Sequence, residues 1–313
     1  MRSTNGSGAA QDNKDVHFRL LPLRFEFLAR ESIHFPEGKA ANVLRGALGT
    51  ILGGIVGVAE ERLFAPVAAG GPSGLVYSPR PFVFRAKHLS GLTVEAGQTF
   101  YFDLNLFDLT LPAAEYLVSA FAHLTDEGLG ARRRKVDLTQ VLLRDESGSP
   151  TKAVYQDGWM LPQDAMIPLS LDLSAAAEPV RHLRVRFLTP TELKSGDRLA
   201  ASPEFGVLAA RARDRVSTLS EIYGGGALAL DFKGFGERAT RVRMTRCELK
   251  DVAVERRSSR TGQVHSIGGF VGEAEYEGEM GEFLGVLRAA QWTGVGRQTI
   301  WGKGEIEVDC SSG

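Results

Sequence analysis

Eleven residues near the end of the chain, Gly294-Val-Gly-Arg-Gln-Thr-Ile-Trp-Gly-Lys-Gly304, hold four glycines, one arginine and one lysine. Glycine has no Cβ to keep a phosphate at a distance, so such a loop can offer bare N–H groups and two cations to a polyanion. The spacing matches neither the P-loop nor the dinucleotide fingerprint, and glycine pairs also allow a helix to pack closely on a strand. If Thr299 to Val308 is a strand, Ile300, Ile306 and Val308 share one face and Trp301, Lys303, Glu305 and Glu307 the other, which turns Lys303 away from the core. Lys303 and Arg297 are then candidate phosphate contacts, with Gly294, Gly296, Gly302 and Gly304 as the backbone that approaches the ligand. Arg45, in Leu44-Arg-Gly-Ala47, is either a phosphate ligand or half of a helix-surface ion pair. Upstream, Glu273, Glu275, Glu277 and Glu279 alternate. Four carboxylates on one strand face are metal ligands or a solvated face, and without an HxxxH, CxxC or paired-Asp motif beside them no metal or cofactor is expected.

These residues need a scaffold, and 313 residues at 43% hydrophobic content suffice for one large domain or two ordinary ones. Cys247 and Cys310 cannot build a disulfide framework, and Met1 to Asp15 is polar with no apolar h-region. A cytoplasmic protein without a secretory signal is expected. Val43 to Ala59 carries Arg45 and five glycines and falls short of a spanning helix, so no membrane is expected as a partner. The net charge of -1 excludes a coat of uniform positive charge. Arginine clusters at 132–134, 181–186, 211–215 and 238–246 leave a localised basic groove open, or solvated faces.

The elements read twice in the same order. Leu21, Leu23, Phe25 and Phe27 alternate as a half-buried strand, followed by a helix from near Gly38 to near Leu63. Extended segments follow near 74–85 and 98–107, then a helix capped at Thr110 with Pro112 in its first turn, then a strand at 135–143. In the second half Leu183, Val185 and Phe187 alternate, and Ser202-Pro203 opens a helix that ends at Gly224-Gly-Gly226. Strands near 241–254 and 264–280, a short helix around Phe283 to Leu287 and a strand over 299–308 complete the set. Two copies of β-α-β-β-α-β predict an α+β protein of two tandem ferredoxin-like domains. The expected division is a tail at 1–15, a first domain at 16–146, an irregular linker at 147–178 and a second domain at 179–313.

The run Gly268-Gly-Phe-Val-Gly-Glu-Ala-Glu-Tyr-Glu-Gly278, then Phe283 to Trp292, then Gly294 to Gly304, resembles the signature of the sixth Cas family, the pre-crRNA processing endoribonucleases of the RAMP superfamily. Leu63-Phe-Ala-Pro66, Pro79-Arg-Pro-Phe82, Thr189-Pro190 and Arg215 to Tyr223 add weaker matches. The resemblance implies that the two domains form an RNA-binding cleft and make a metal-independent cut of CRISPR repeat RNA there. In that reaction the 2′-hydroxyl attacks the adjacent phosphate and leaves a 2′,3′-cyclic phosphate and a 5′-hydroxyl. Such chemistry needs a proton acceptor, a proton donor and cations for the phosphorane. Many members of the family carry a general-base histidine on or near the first helix, and some cleave with none, relying on cations. Here the positional candidate is His34, in Ser32-Ile-His-Phe-Pro-Glu-Gly38, while Ala59 to Ala65, where some relatives carry theirs, has none. His265 is second, His123 sits by an apolar stripe, and His17, His88 and His182 have no local signal. His34 and Lys303 are thus the catalytic candidates. A catalytically silent RAMP-type subunit that only binds crRNA remains the alternative. The implied partners are repeat RNA and other Cas proteins of an effector complex, with the chain a monomer or homodimer.

Overall fold

The computed structural model describes residues 16–54, 63, 78–110, 112–224, 226–257 and 264–310. The alternating Phe and Leu residues of the first strand put it at the centre of a sheet. β1 (His17–Ala29) lies between β3 (Thr99–Leu106) and β4 (Val136–Arg144), and β3 pairs in turn with β2 (Phe82–Arg85). Phe25 and Phe27 stack on Phe102 at 5.2 and 5.6 Å between ring centroids, and Phe121 of the second helix closes the cluster. Aromatic rings packed in this way fill much volume with few side-chain rotors, so the sheet is held rigidly against its helices. Those helices are α1 (Ala40–Gly54) and α2 (Ala113–Ala122), with Leu44, Leu48, Leu52, Leu117 and Phe121 facing the sheet.

The second half repeats the design. β8 (His182–Thr191) is paired with β10 (Gly269–Glu277) and β11 (Ile306–Cys310), and β9 (Arg243–Val252) lies beyond β10. In each half the second, third, first and fourth strands are neighbours in that order and all pairs are antiparallel, which is the ferredoxin-like arrangement. α3 (Phe205–Tyr223), α4 (Phe232–Ala239) and α5 (Gly281–Thr293) accompany the second sheet. Its core is built from Phe187, Phe205, Leu208, Tyr276, Phe283 and Leu287.

Residues 147–178, expected as an irregular linker, carry regular structure instead. β5 (Pro150–Gln156) and β6 (Trp159–Met160) extend the first sheet beyond β4, and β7 (Leu169–Asp172) pairs with the start of β1. Gly148 and Gly158, at φ 82° and 80°, occupy turns between these strands. Boundaries shift elsewhere. α2 begins after Pro112, because Thr110 bonds the Asp108 carboxylate rather than capping the helix. α3 begins at Phe205, two residues after the Ser202-Pro203 pair. The final strand starts at Ile306 rather than Thr299, because Gln298 (φ 60°) and Gly302 (φ 81°) flank a single 3-10 turn at Thr299–Trp301.

Apolar packing joins the halves: Phe18, Val83, Phe107 and Leu171 meet Val216, Leu219, Tyr223 and Ala289. A polar clamp lies beside it. The last turn of an α-helix leaves carbonyls without intrahelical partners and concentrates negative partial charge. At the end of α5, Arg85 Nη2 donates to the Gln291 and Trp292 carbonyls at 2.9 and 3.1 Å, and Asn105 Nδ2 donates to Trp292 at 2.8 Å. Arg215 Nε of α3 donates to the Thr293 carbonyl at 2.8 Å. Two strands of the first half therefore fix the helix from which the glycine-rich loop departs.

Candidate nucleic-acid interface

The loop from Gly294 to Gly304 folds back on itself at the seam between the halves. Val295 N–H donates to the Gly304 carbonyl at 2.9 Å, Gly304 N–H to Pro190 at 3.1 Å, Arg297 N–H to Glu192 at 3.1 Å and Gly302 N–H to Thr299 at 3.0 Å. The glycines serve this close packing rather than the approach of a phosphate. A Cβ on Gly304 would lie 1.9 Å from the Val295 carbonyl oxygen, and one on Gly296 2.2 Å from that of Glu192. On Gly302 it would lie 2.7 Å from Ala41 of α1, where the loop abuts the first half. Gly294 caps α5 at φ 74°. The N–H groups of Gly294, Gly302 and Gly304 are thus already spent on protein carbonyls.

Lys303 does not turn away from the core. The 3-10 turn breaks the two-residue period on which that expectation rests, and the side chain is only 2% exposed. Its Nζ donates to Glu192 Oε2 at 2.8 Å and Gln298 Oε1 at 3.0 Å. Burial pulls the ammonium below the ordinary lysine range, against the opposing effect of Glu192. Lys303 pins the loop to the end of β8. Arg297 keeps a half-exposed side chain with Nη1 3.7 Å from Glu192, and Arg45 reaches across from α1 to lie 5.8 Å over the Trp301 ring.

Two clefts flank this seam. One, of about 340 Å3, runs between the start of α1 and the loop and includes Glu37, Lys87, Ser90, Pro190, Trp301 and Lys303 in its walls. There the Ser90 hydroxyl donates to Glu37 Oε1 at 2.8 Å and accepts from Gly38 N–H at 2.7 Å. The other, of about 290 Å3, lies behind the loop among Lys194, Arg211, Arg215 and Arg297, with Asp214 as the one carboxylate in its walls. A surface with four cations and one carboxylate suits an extended polyanion. His34 lies beside the first cleft in sequence but not in its wall. It is exposed on the short pairing of Ile33–His34 with Thr93–Val94, and its Nδ1 is 3.0 Å from Thr93 Oγ1. His88, which had no local signal, is exposed next to Lys87 and stacked on Tyr101 at 4.3 Å. His123 is bonded to its own helix at Ser119, and the side chain of His265 falls outside the described residues.

The alternating glutamates form a charge lattice on the outer face of the second sheet. Arg246 faces Glu273 and Glu275 at 3.6 and 3.3 Å, Arg184 faces Glu275 at 3.2 Å, and Arg243 faces Glu277 at 2.7 Å. Arg186 meets Glu307 and Asp309 at 2.9 and 3.0 Å. Two of the arginine clusters are thereby matched by their own carboxylates, and at the seam Arg211 meets Asp214 at 2.7 Å. Among the described residues no helix is long and apolar enough to cross a membrane.

Residues 185–306, the second domain with its loop, match the family model described as CRISPR-associated endoribonuclease Cas6. The second domain is thus similar to the Cas6 family. Residues 18–165 match a second model described as an N-terminal domain. Among solved structures, a Cas6 product complex shares 18% identity at a TM-score of 0.58, covering 93% of this chain and 99% of that one. Thermus thermophilus Cas6 shares 18% identity at 0.53, covering 96% and 100%. A partial Cas6-RT-Cas1–Cas2 complex shares 12% at 0.57, and the match takes in 94% of this chain but 46% of that larger one. These likenesses are of fold. No curated protein matches the chain.

Proposed function

We propose that this chain is a crRNA-processing endoribonuclease of the Cas6 kind that holds CRISPR repeat RNA along the seam between its two domains. The observation that carries the reading is the pinned loop between two clefts with Lys87, Lys194, Arg211 and Arg297 in their walls, in a chain whose residues 185–306 match the Cas6 model. Cleavage needs no metal: the 2′-hydroxyl attacks the neighbouring phosphate, so the strand breaks to a 2′,3′-cyclic phosphate and a 5′-hydroxyl. His34 is the proton acceptor in this proposal. With Nδ1–H donating to Thr93, the exposed Nε2 keeps its lone pair for the 2′-OH proton. Arg45 and Arg297 stand to offset charge on the phosphorane, while Lys303 acts by holding the loop that carries Arg297.

Purified protein incubated in EDTA with labelled repeat RNA from its own genome, beside the same RNA bearing one 2′-deoxy sugar at the cut, tests this. Cleavage of the first and survival of the second supports 2′-hydroxyl attack. Tight binding with no cleavage supports the silent crRNA-binding subunit instead, and absence of both defeats the RNA reading altogether.

A further inference from the structure

A third cleft, of about 360 Å3, opens where β2, β3 and the β4–β5 turn face the end of α5 and the start of β11. It adjoins the cleft at α1, since Lys87 and Glu305 belong to the walls of both. Three polar atoms in its wall are buried and make no hydrogen bond: Arg85 Nη1, Arg144 Nη1 and Asn105 Oδ1. Leaving such groups unpaired costs roughly 1–3 kcal/mol each, and more where the group is charged, so their convergence calls for a ligand. Arg85 is 8% exposed and Asn105 1%. Glu146 and Glu305 also line the cleft, and Asp103 is shared by the guanidiniums of Arg24 and Arg144. It is held by Arg24 at 2.7 and 3.0 Å, and Arg144 Nη1 stands 3.4 Å from it without making a hydrogen bond. Arg85 spends Nη2 on two carbonyls, and burial lowers its affinity for a proton.

At the mouth of the cleft is a column of stacked groups. The Arg24 guanidinium lies 4.0 Å over Tyr101, and the exposed His88 ring stacks on Tyr101 with its Nε2 2.8 Å from the Tyr101 carbonyl. An exposed ring held flat in this way offers a platform to a planar base.

We infer that this cleft is a nucleotide subsite, with a phosphate on Arg85 and Arg144, a hydrogen-bond donor of the ligand on Asn105 Oδ1 and its base on the outer face of His88. The inference rests on the proposed RNA reading and extends it: the ligand is a nucleotide of the bound strand, seated next to the cleft at α1. Arg144 and His88 thereby select and position RNA without touching the bond that breaks.

The test is binding of the full chain to labelled repeat RNA carrying the 2′-deoxy block, measured across a salt series for wild type, Arg144→Met and His88→Ala. Loss of one phosphate contact lowers the slope of log affinity on log salt by about 0.7 for a single strand, and Arg144→Met is expected to show this with a weaker Kd. His88→Ala removes only stacking, so the slope holds while Kd rises about fivefold or more. Arg144→Met gives up its ion pair with Asp103 and its hydrogen bond to the Gly148 carbonyl and is expected to melt lower, whereas His88 is exposed and its variant should melt close to wild type, so binding is compared at a temperature where thermal melts show every protein folded. If wild type binds RNA and both variants match it in Kd and slope, the subsite is refuted while the RNA reading stands. If AMP binds wild type tightly and RNA affinity is indifferent to Arg144, the cleft serves a free nucleotide and the inference falls. If wild type binds no RNA, the proposed function itself fails first.

Discussion

Replacing Lys303 by methionine separates a pin from a catalyst. The ammonium is 2% exposed and its partner Glu192 16%, at 2.8 Å, so the substitution leaves a largely buried carboxylate without its closest cation. Breaking a buried pair from one side costs roughly 3–5 kcal/mol, but Glu192 keeps some water and Arg297 at 3.7 Å, so about 2–3 kcal/mol is expected. For a chain of this size each kcal/mol lowers the melting temperature by roughly 2 °C, which gives a fall of about 4–6 °C by calorimetry. Adding Glu192→Gln removes the stranded charge and is expected to restore roughly 1–2 kcal/mol, the coupling of a contacting pair. Repeat-RNA cleavage, measured at a temperature where the melts show both proteins folded, should then fall only a few-fold in Lys303→Met and recover in the double variant. A Lys303→Met protein that melts with wild type but cuts about a hundredfold or more slowly would refute the reasoning, because the ammonium would then be acting on RNA.

Gly304→Ala, at φ 71° and with its new Cβ 1.9 Å from the Val295 carbonyl oxygen, must adopt a left-handed conformation and break the loop closure. A loss of roughly 2–4 kcal/mol is expected by denaturant titration, from about 1–2 for the backbone and the remainder for the displaced hydrogen bond. Replacing Arg184, Arg243 and Arg246 together by alanine should leave RNA affinity and its salt slope near wild type, since each faces a glutamate on the outer sheet face. Filter binding over a salt series checks this, and a slope reduced by two or more would place RNA on that face. His34→Ala should slow cleavage at least a hundredfold while leaving RNA affinity within about threefold, which single-turnover kinetics and binding read separately. At acid pH, hydrogen bonds from Gly234 N–H and from Ser147 and Ser149 hold the Asp231 and Asp145 carboxylates below the usual carboxylate range. A depressed folded pKa stabilises above the unfolded value, so this support is complete above about pH 4 and lost as the pH falls through the folded pKa. Thermal melts from pH 6 to pH 3 should decline in that window, and Asp231→Asn should flatten part of the decline.

What the chain discloses locally and what it withholds divide along a physical line. Period-two alternation at Leu21 to Phe27 and at Leu183 to Phe187 marks the central strand of each sheet, because a strand with one face on a core must alternate. The duplication follows from those two strands and the helices after them. The glycine-rich run is different: bare backbone suits a phosphate or another strand equally, and only the Glu192 and Val295 carbonyls, brought in by tertiary folding, decide for the second. Lys303 was misread for a related reason, since one left-handed residue at Gln298 resets the face of everything after it. The third cleft had a trace in the sequence. In Thr99-Phe-Tyr-Phe-Asp-Leu-Asn-Leu106 the polar residues Asp103 and Asn105 alternate with apolar ones as if facing water, yet both are buried, at 7% and 1%. Arg85, at the end of Phe-Val-Phe-Arg, is buried beside them. Polar side chains on the outer face of an aromatic strand read as solvent-facing until a second domain docks on them. After docking they become the groups with most to gain from a ligand, so in a duplicated fold the polar face of a central strand is the place to look for one.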